Sequence, residues 1–181
     1  MRAIVLALLA GLALPGPAFA DQTDPRLDVL FEELRTGDGR DAEGAVGRIQ
    51  AIWADSQSDT VDLLFERATV ALDAGQIDLA GALLDQAIGL APSFAQAYAL
   101  RGAVRLNSEN TAGAIEDFTR AVDLETRHFE ARIALAEILL AGGDKRAAYD
   151  MLQRALEWNP HEPHARDRAR KLREELNGQE I

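Results

Sequence analysis

The feature that most constrains this chain is that it matches itself when shifted by 34 residues. Ala80, Ala114 and Ala148 fall into one column, and Ala87, Ala121 and Ala155 into another. Between them stand Leu84, Phe118 and Leu152, and just beyond them Ile88, Val122 and Leu156, then Leu90, Leu124 and Trp158. Earlier in each unit Ala68, Gly102 and Ala136 align, as do Leu72, Leu106 and Leu140. A period of this length marks a stack of similar supersecondary units, none of which can bury its apolar face alone. Small residues at fixed places let two helices approach closely, and large apolar residues four places away fill the space between neighbours.

Each unit reads at helical spacing in two halves separated by a break. The breaks are Ala74-Gly75-Gln76, Ser108-Glu109-Asn110 and Gly142-Gly143-Asp144, and Asp144 is placed to cap the helix that follows. Pro92 and Pro160 share a column with Thr126 between them, and proline there ends the second helix of a unit.

A 34-residue helix–turn–helix unit with these small-residue columns and a terminal proline resembles the tetratricopeptide repeat (TPR) family. The resemblance covers residues 61–160 as three units, 61–94, 95–128 and 129–160. It implies an all-α, right-handed TPR solenoid of antiparallel helix pairs. The chain departs from the family pattern in places. Leu64, Tyr98 and Arg132 stand where a large or aromatic residue is expected early in the first helix, and Ala71, Arg105 and Leu139 where a tyrosine is usual. The turn glycine of the second unit is Glu109.

Residues 21–60 are expected to form a degenerate N-terminal hairpin, a weak fourth unit over 24–57. Asp24-Pro25 reads as a helix start, with Leu27, Leu30, Phe31 and Leu34 on one face. Thr36 to Arg40 reads as a turn, and Asp41 as the cap of a helix carrying Ala45, Ile49, Ile52 and Trp53. Residues 161–181 read as a polar capping helix from Pro163 to about Leu176, followed by a loose tail.

Met1-Arg2, the apolar run Ala3–Leu14, Pro15-Gly16-Pro17 and Ala18-Phe19-Ala20 have the layout of a signal peptide cleaved between Ala20 and Asp21. The expected location is the periplasm, with no stable membrane insertion after cleavage. The layout is also similar to small exported bacterial TPR proteins of unassigned role. The chain has no cysteine, which removes disulfides and a cysteine lipid anchor.

The formal net charge of −11 disfavours nucleic acid, whose phosphates call for a basic surface. Acidic side chains dominate through residue 126 and basic ones from 127 to 173. The basic cluster is Arg166, Arg168, Arg170, Lys171 and Arg173, which a solvated helix face or an end-to-end homo-oligomer would explain.

In the TPR family the first helices line a concave groove. The resemblance implies that Asp62, Phe65, Thr69, Leu72 and Asp73 face it from the first unit. Gln96, Ala99, Ala103, Leu106 and Asn107 face it from the second, and Glu130, Ile133, Glu137, Leu140 and Ala141 from the third. Some TPR domains grip a chaperone's C-terminal carboxylate with basic residues and asparagine in these columns. Here the places hold Phe65, Ala99 and Ile133, and Thr69, Ala103 and Glu137, so that clamp is absent. The expected ligand is a polypeptide segment, basic with an apolar anchor. Phe65 and Ile133 packing against neighbouring helices is the competing account.

No phosphate loop, nucleophile elbow or zinc-helix motif occurs, and no catalytic residue, metal or cofactor is expected. His161 and His164 are spaced like a ligand pair but lack further ligands, and read as solvated residues at a helix start. His128 reads as an exposed turn residue, and Trp53 and Trp158 as core. The leading expectation is a holding or adaptor protein. A self-associating envelope spacer and a metal-binding or enzymatic role through His161 and His164 are its rivals.

Overall fold

The structure, a computed structural model, describes residues 24–178. The expected signal peptide, its cleavage point at Ala20-Asp21 and the end of the tail lie outside them. The described residues form nine helices and no strand. They are α1 (Arg26–Thr36), α2 (Gly39–Trp53), α3 (Asp59–Asp73), α4 (Ile77–Leu90), α5 (Ala95–Asn107), α6 (Thr111–Leu124), α7 (Phe129–Ala141), α8 (Lys145–Leu156) and α9 (Pro163–Gly178).

Helices α3 to α8 pair within each unit, α3 on α4, α5 on α6 and α7 on α8, and each second helix packs on the next first helix. The alanine columns explain the closeness. Ala80, Ala114, Ala87 and Ala121 are fully buried, as is Ala148, and Ala155 is nearly so. At Gly102 the approach is tighter still, because a Cβ there would stand 2.9 Å from the Phe118 ring. The inter-helix turns each need one residue in the left-handed region, filled by Gly75 (φ 71°), Glu109 (φ 60°) and Gly143 (φ 85°). Asp144 caps α8 as expected, accepting from Ala147 N at 2.9 Å, and Asn110 caps α6 through Gly113 N.

The period runs on into α9. Ala97, Ala131 and Ala165 form one column and Val104, Ile138 and Leu172 another. In each, the side chain packs against the preceding unit. The capping helix is thus the first helix of a further unit that lacks a second helix among the described residues. In unit one the same two places are Leu63 and Val70, which are 51% and 62% exposed, and Leu79 nearby is also exposed. No described helix packs across Leu63 and Leu79, while Val70 borders the cleft between α2 and α3.

The reason is the position of the N-terminal hairpin, which does not stack ahead of the first unit. Helices α1 and α2 do pair with one another. Their apolar face, however, forms one cluster with Phe129, Ile133, Ala155 and Trp158 of unit three, and no residue of unit one belongs to it. The hairpin has folded back across the array. Its local details also shift. Asp24 still accepts from Arg26 N at 2.7 Å, but α1 starts at Arg26. Asp38, not Asp41, caps α2, through Arg40 N and Asp41 N, so Gly39 and Arg40 are helical and the turn is shorter than expected.

Candidate functional site

The first-helix faces of units one and three meet the N-terminal hairpin through α2. Ala51 and Asp55 of α2 share a cleft with Phe65 and Thr69 of α3. Val46 and Gln50 share another with Glu130 and Ile133 of α7. Helix α2 therefore spans from unit one to unit three on the side assigned to the groove.

Its C-terminal end is the anchor. The indole of Trp53 stacks on His128 with ring centroids 4.5 Å apart and lies 5.5 Å from the Phe129 ring. Its Nε1 donates to Glu125 Oε2 at 3.3 Å. Phe31 of α1 meets Trp53 at 5.9 Å and presents its edge to Trp158 at 5.7 Å. The Arg127 guanidinium lies over the Phe31 ring and pairs with both Glu125 and Asp28. Gln50 Nε2 donates to Glu130 Oε1 at 2.6 Å.

Burial sets the charge states here. His128 is 1% exposed, which corrects the reading of it as an exposed turn residue. Its Nδ1 accepts from Ala131 N at 3.4 Å, capping α7, and its Nε2 is buried without a partner. Burial, with a smaller contribution from the Arg132 charge, lowers its pKa to about 3. The imidazole is neutral and can stack on indole without an unpaired buried charge. Burial pushes the Glu130 carboxyl up, and the bond from Gln50 opposes that shift.

The assigned groove residues divide into three groups. Phe65 packs at 5.1 Å on Phe94, and Leu72 joins the same core, while Ile133 packs against the hairpin cluster. Phe65 and Ile133 thus pack against their neighbours and, half-buried, also line the two clefts with α2. Ala99 is part of the core between units two and three, with the half-buried Ala103 and Leu106 packed against it from the groove side, and the half-buried Leu140 packs on the core beneath α9. The polar members are mostly engaged. Asp62 accepts from Ser56 N at 2.8 Å and Ser56 Oγ at 2.5 Å, which pins the linker. Thr69 and Asn107 bond backbone carbonyls of their own helices. Glu137 takes Arg168 and His164 from α9, both through its carboxylate oxygens. Gln96 Oε1 is buried without a partner, and Asp73 and Ala141 are exposed.

The histidine pair stays apart from any ligand set. His164 is committed to Glu137, and His161 lies at the α8–α9 loop with a buried, unpartnered Nε2. Among the described residues no group of three or more His, Asp or Glu is arranged to hold a metal. No described helix is long and apolar enough to cross a membrane.

Sequence reasoning missed the seat formed by Glu125, His128 and Phe129. A signal was present. His128 shares its column with Phe94, a fully buried residue in the preceding unit.

A tetratricopeptide repeat family model matches residues 105–172. A TPR repeat-containing protein of Rhizobium etli is 30% identical over 154 residues, spanning 84% of this chain and 76% of that protein. Among solved structures, the first TPR of Spaghetti, bound to the HSP90 peptide SRMEEVD, has a TM-score of 0.62 at 21% identity, covering 66% of this chain and 95% of its own. The Yersinia enterocolitica type III secretion chaperone SycD, in complex with a peptide of the translocator YopD, has a TM-score of 0.57 at 20% identity, covering 67% and 92%. MamA has a TM-score of 0.60 at 20% identity, covering 76% and 80%.

Proposed function

Because this chain belongs to the tetratricopeptide repeat family, we propose that it is an adaptor or holding factor that binds a polypeptide segment along the first-helix faces of its units. The observation that carries this reading is that a helical segment already lies there: α2 spans from Phe65 and Thr69 to Glu130 and Ile133. The surface thus has the shape and the mix of apolar and carboxylate groups that a helix needs. The peptides held by the Spaghetti domain and by SycD support the same use of the fold. Glu130 on α7 and the exposed Asp73 on α3 favour a segment that is basic with an apolar anchor. The same reading makes the chain an exported, non-catalytic protein, on the strength of the N-terminal leader pattern and the missing catalytic motifs.

The test is site-specific photocrosslinking in an envelope extract. A benzophenone side chain at Ala103, on the groove face, should capture a polypeptide. The same group at Glu116, exposed on α6, should not. Equal capture at both positions would remove the groove from the account.

A second reading, end-to-end self-association, is favoured by the bare face of unit one at Leu63, Val70 and Leu79. The acidic excess through residue 126 and the basic excess from 127 to 173 give the two halves of the chain opposite charge. Val70→Ser and raised salt should both reduce the particle size in sedimentation if copies meet there. A size unchanged by either sets that reading aside.

A further inference from the structure

Helix α2 shows what this groove accepts. It contributes an indole to a seat made by Glu125, His128 and Phe129, a carboxamide donor to Glu130, and an apolar stripe against Ile133. The indole is bonded at its one donor and stacked on a neutral ring, so both its polar and its apolar demands are met. Arg127 adds a cationic contact to Phe31 and an ion pair to the exposed Asp28. Beyond the linker of residues 54–58, nothing covalent holds the hairpin in place. Its helices pack on each other as well as on unit three. The linker contains Gln57 at φ 61°, a left-handed residue at which the chain reverses.

We propose that the hairpin is an intramolecular stand-in for the true ligand, and that the ligand is an amphipathic helix placing a large aromatic ring, an indole above all, in the Trp53 seat. This rests on the adaptor reading and names its partner class. The partner enters by displacing α1–α2, so the hairpin sets a threshold for binding. A segment tethered by so short a linker competes at an effective concentration on the order of millimolar. A free helix of equal intrinsic affinity therefore binds the intact chain far more weakly than a chain whose hairpin has been loosened.

The probe is a labelled synthetic peptide of residues 39–55, the α2 sequence itself, titrated onto the full chain. Two loosened variants are used, Trp53→Ala and Asp28→Lys. The Asp28 side chain is 85% exposed, so its replacement leaves the folded core intact. The peptide should bind Trp53→Ala at least ten-fold tighter than wild type and Asp28→Lys about two- to five-fold tighter, the range of an exposed ion pair, and a peptide carrying Trp53→Ala should bind neither. Equal affinity for all three chains overturns the proposal, as does a lack of binding to either variant while its helical content persists. A tether separates this inference from the broader reading. Gln50→Cys and Glu130→Cys joined by a short bis-maleimide hold the hairpin down in a chain that has no other cysteine. If Ala103 photocrosslinking still captures a polypeptide with the tether closed, the adaptor reading stands and displacement is wrong. If capture fails with and without the tether but the peptide binds the loosened variants, the seat stands and the adaptor reading fails.

Discussion

The imidazole of His128 and the indole of Trp53 are stacked 4.5 Å apart, 27° from parallel, and join the last residue of α2 to the N-cap of α7. This contact ties the N-terminal hairpin to the junction of the second and third units, 75 residues further along the chain. Its energetics should be separable from those of the array.

Trp53→Ala removes a side chain that is 3% exposed and that touches the hairpin and unit three together. Loss of a buried tryptophan costs roughly 3–5 kcal/mol. The loss should be local. Hydrogen exchange is expected to show α1 and α2 losing protection while α5 to α8 keep theirs. A uniform loss across all helices would mean that hairpin and array unfold as one body.

Acid should loosen the same contact. The folded chain holds the His128 pKa at about 3, below the ordinary 6.5, so between these values the unfolded chain carries a proton that the folded chain does not. Stability attributable to this group is complete above pH 6.5 and falls with decreasing pH, by up to about 1.4 kcal/mol per pH unit. Glu130 acts with the opposite sign, because its raised pKa lets the folded chain take a proton earlier than the unfolded one as pH falls. Its effect sets in above the ordinary carboxylate range. Denaturant titrations from pH 7 to pH 5 should therefore show a decline in wild type and a flatter profile in His128→Phe. Parallel profiles would place the acid sensitivity elsewhere.

The second unit's inter-helix turn carries Glu109 at φ 60°, where the first and third use glycine. A left-handed non-glycine residue costs roughly 1–2 kcal/mol, partly offset by glycine's greater freedom in the unfolded chain. Glu109→Gly should raise stability by about 0.5–1 kcal/mol with no change in helix content by circular dichroism. A loss of stability would show that the Glu109 side chain makes a contact worth more than the strain.

Two glycines on packed helices should respond in opposite ways to alanine. At Gly102 the new methyl would press on the Phe118 ring at 2.9 Å, an overpacking that costs roughly 1–3 kcal/mol. At Gly81 it would reach only Val104 Cγ1, at an ordinary 3.6 Å, and gain up to about 1 kcal/mol from helix propensity. Thermal unfolding of the two variants checks the contrast. Similar shifts would mean that α5 and α6 are not so closely apposed.

The array was legible because its columns report packing directly. Ala80, Ala114 and Ala148 must be small where helices touch, and their burial follows from that. The destination of the hairpin was not read, although one residue carried the clue. A shift of 34 residues puts Trp53 in the column of Ala87, Ala121 and Ala155, each at most 1% exposed. An indole does not fit a place shaped for a methyl group, so α2 cannot stack as an ordinary second helix. Periodicity says which face of α2 is apolar, but not which distant surface it meets. The seat depends on a contact between residues 53 and 128, and nothing local in either segment announces it. Glu125 and His128 are polar residues in turns, which read as exposed until the tertiary fold covers them.

The most direct test of the hairpin's place is crosslinking in the cysteine-free chain. Gln50→Cys should join Glu130→Cys through a short bis-maleimide within one molecule, since the native side chains are hydrogen-bonded at 2.6 Å. The same Gln50→Cys paired with Leu63→Cys, on the bare face of unit one, should not crosslink. High yield for the pair with residue 130 and none for the pair with residue 63 is the predicted result. The reverse would put the hairpin on unit one as an ordinary repeat, leave the groove open, and contradict the account.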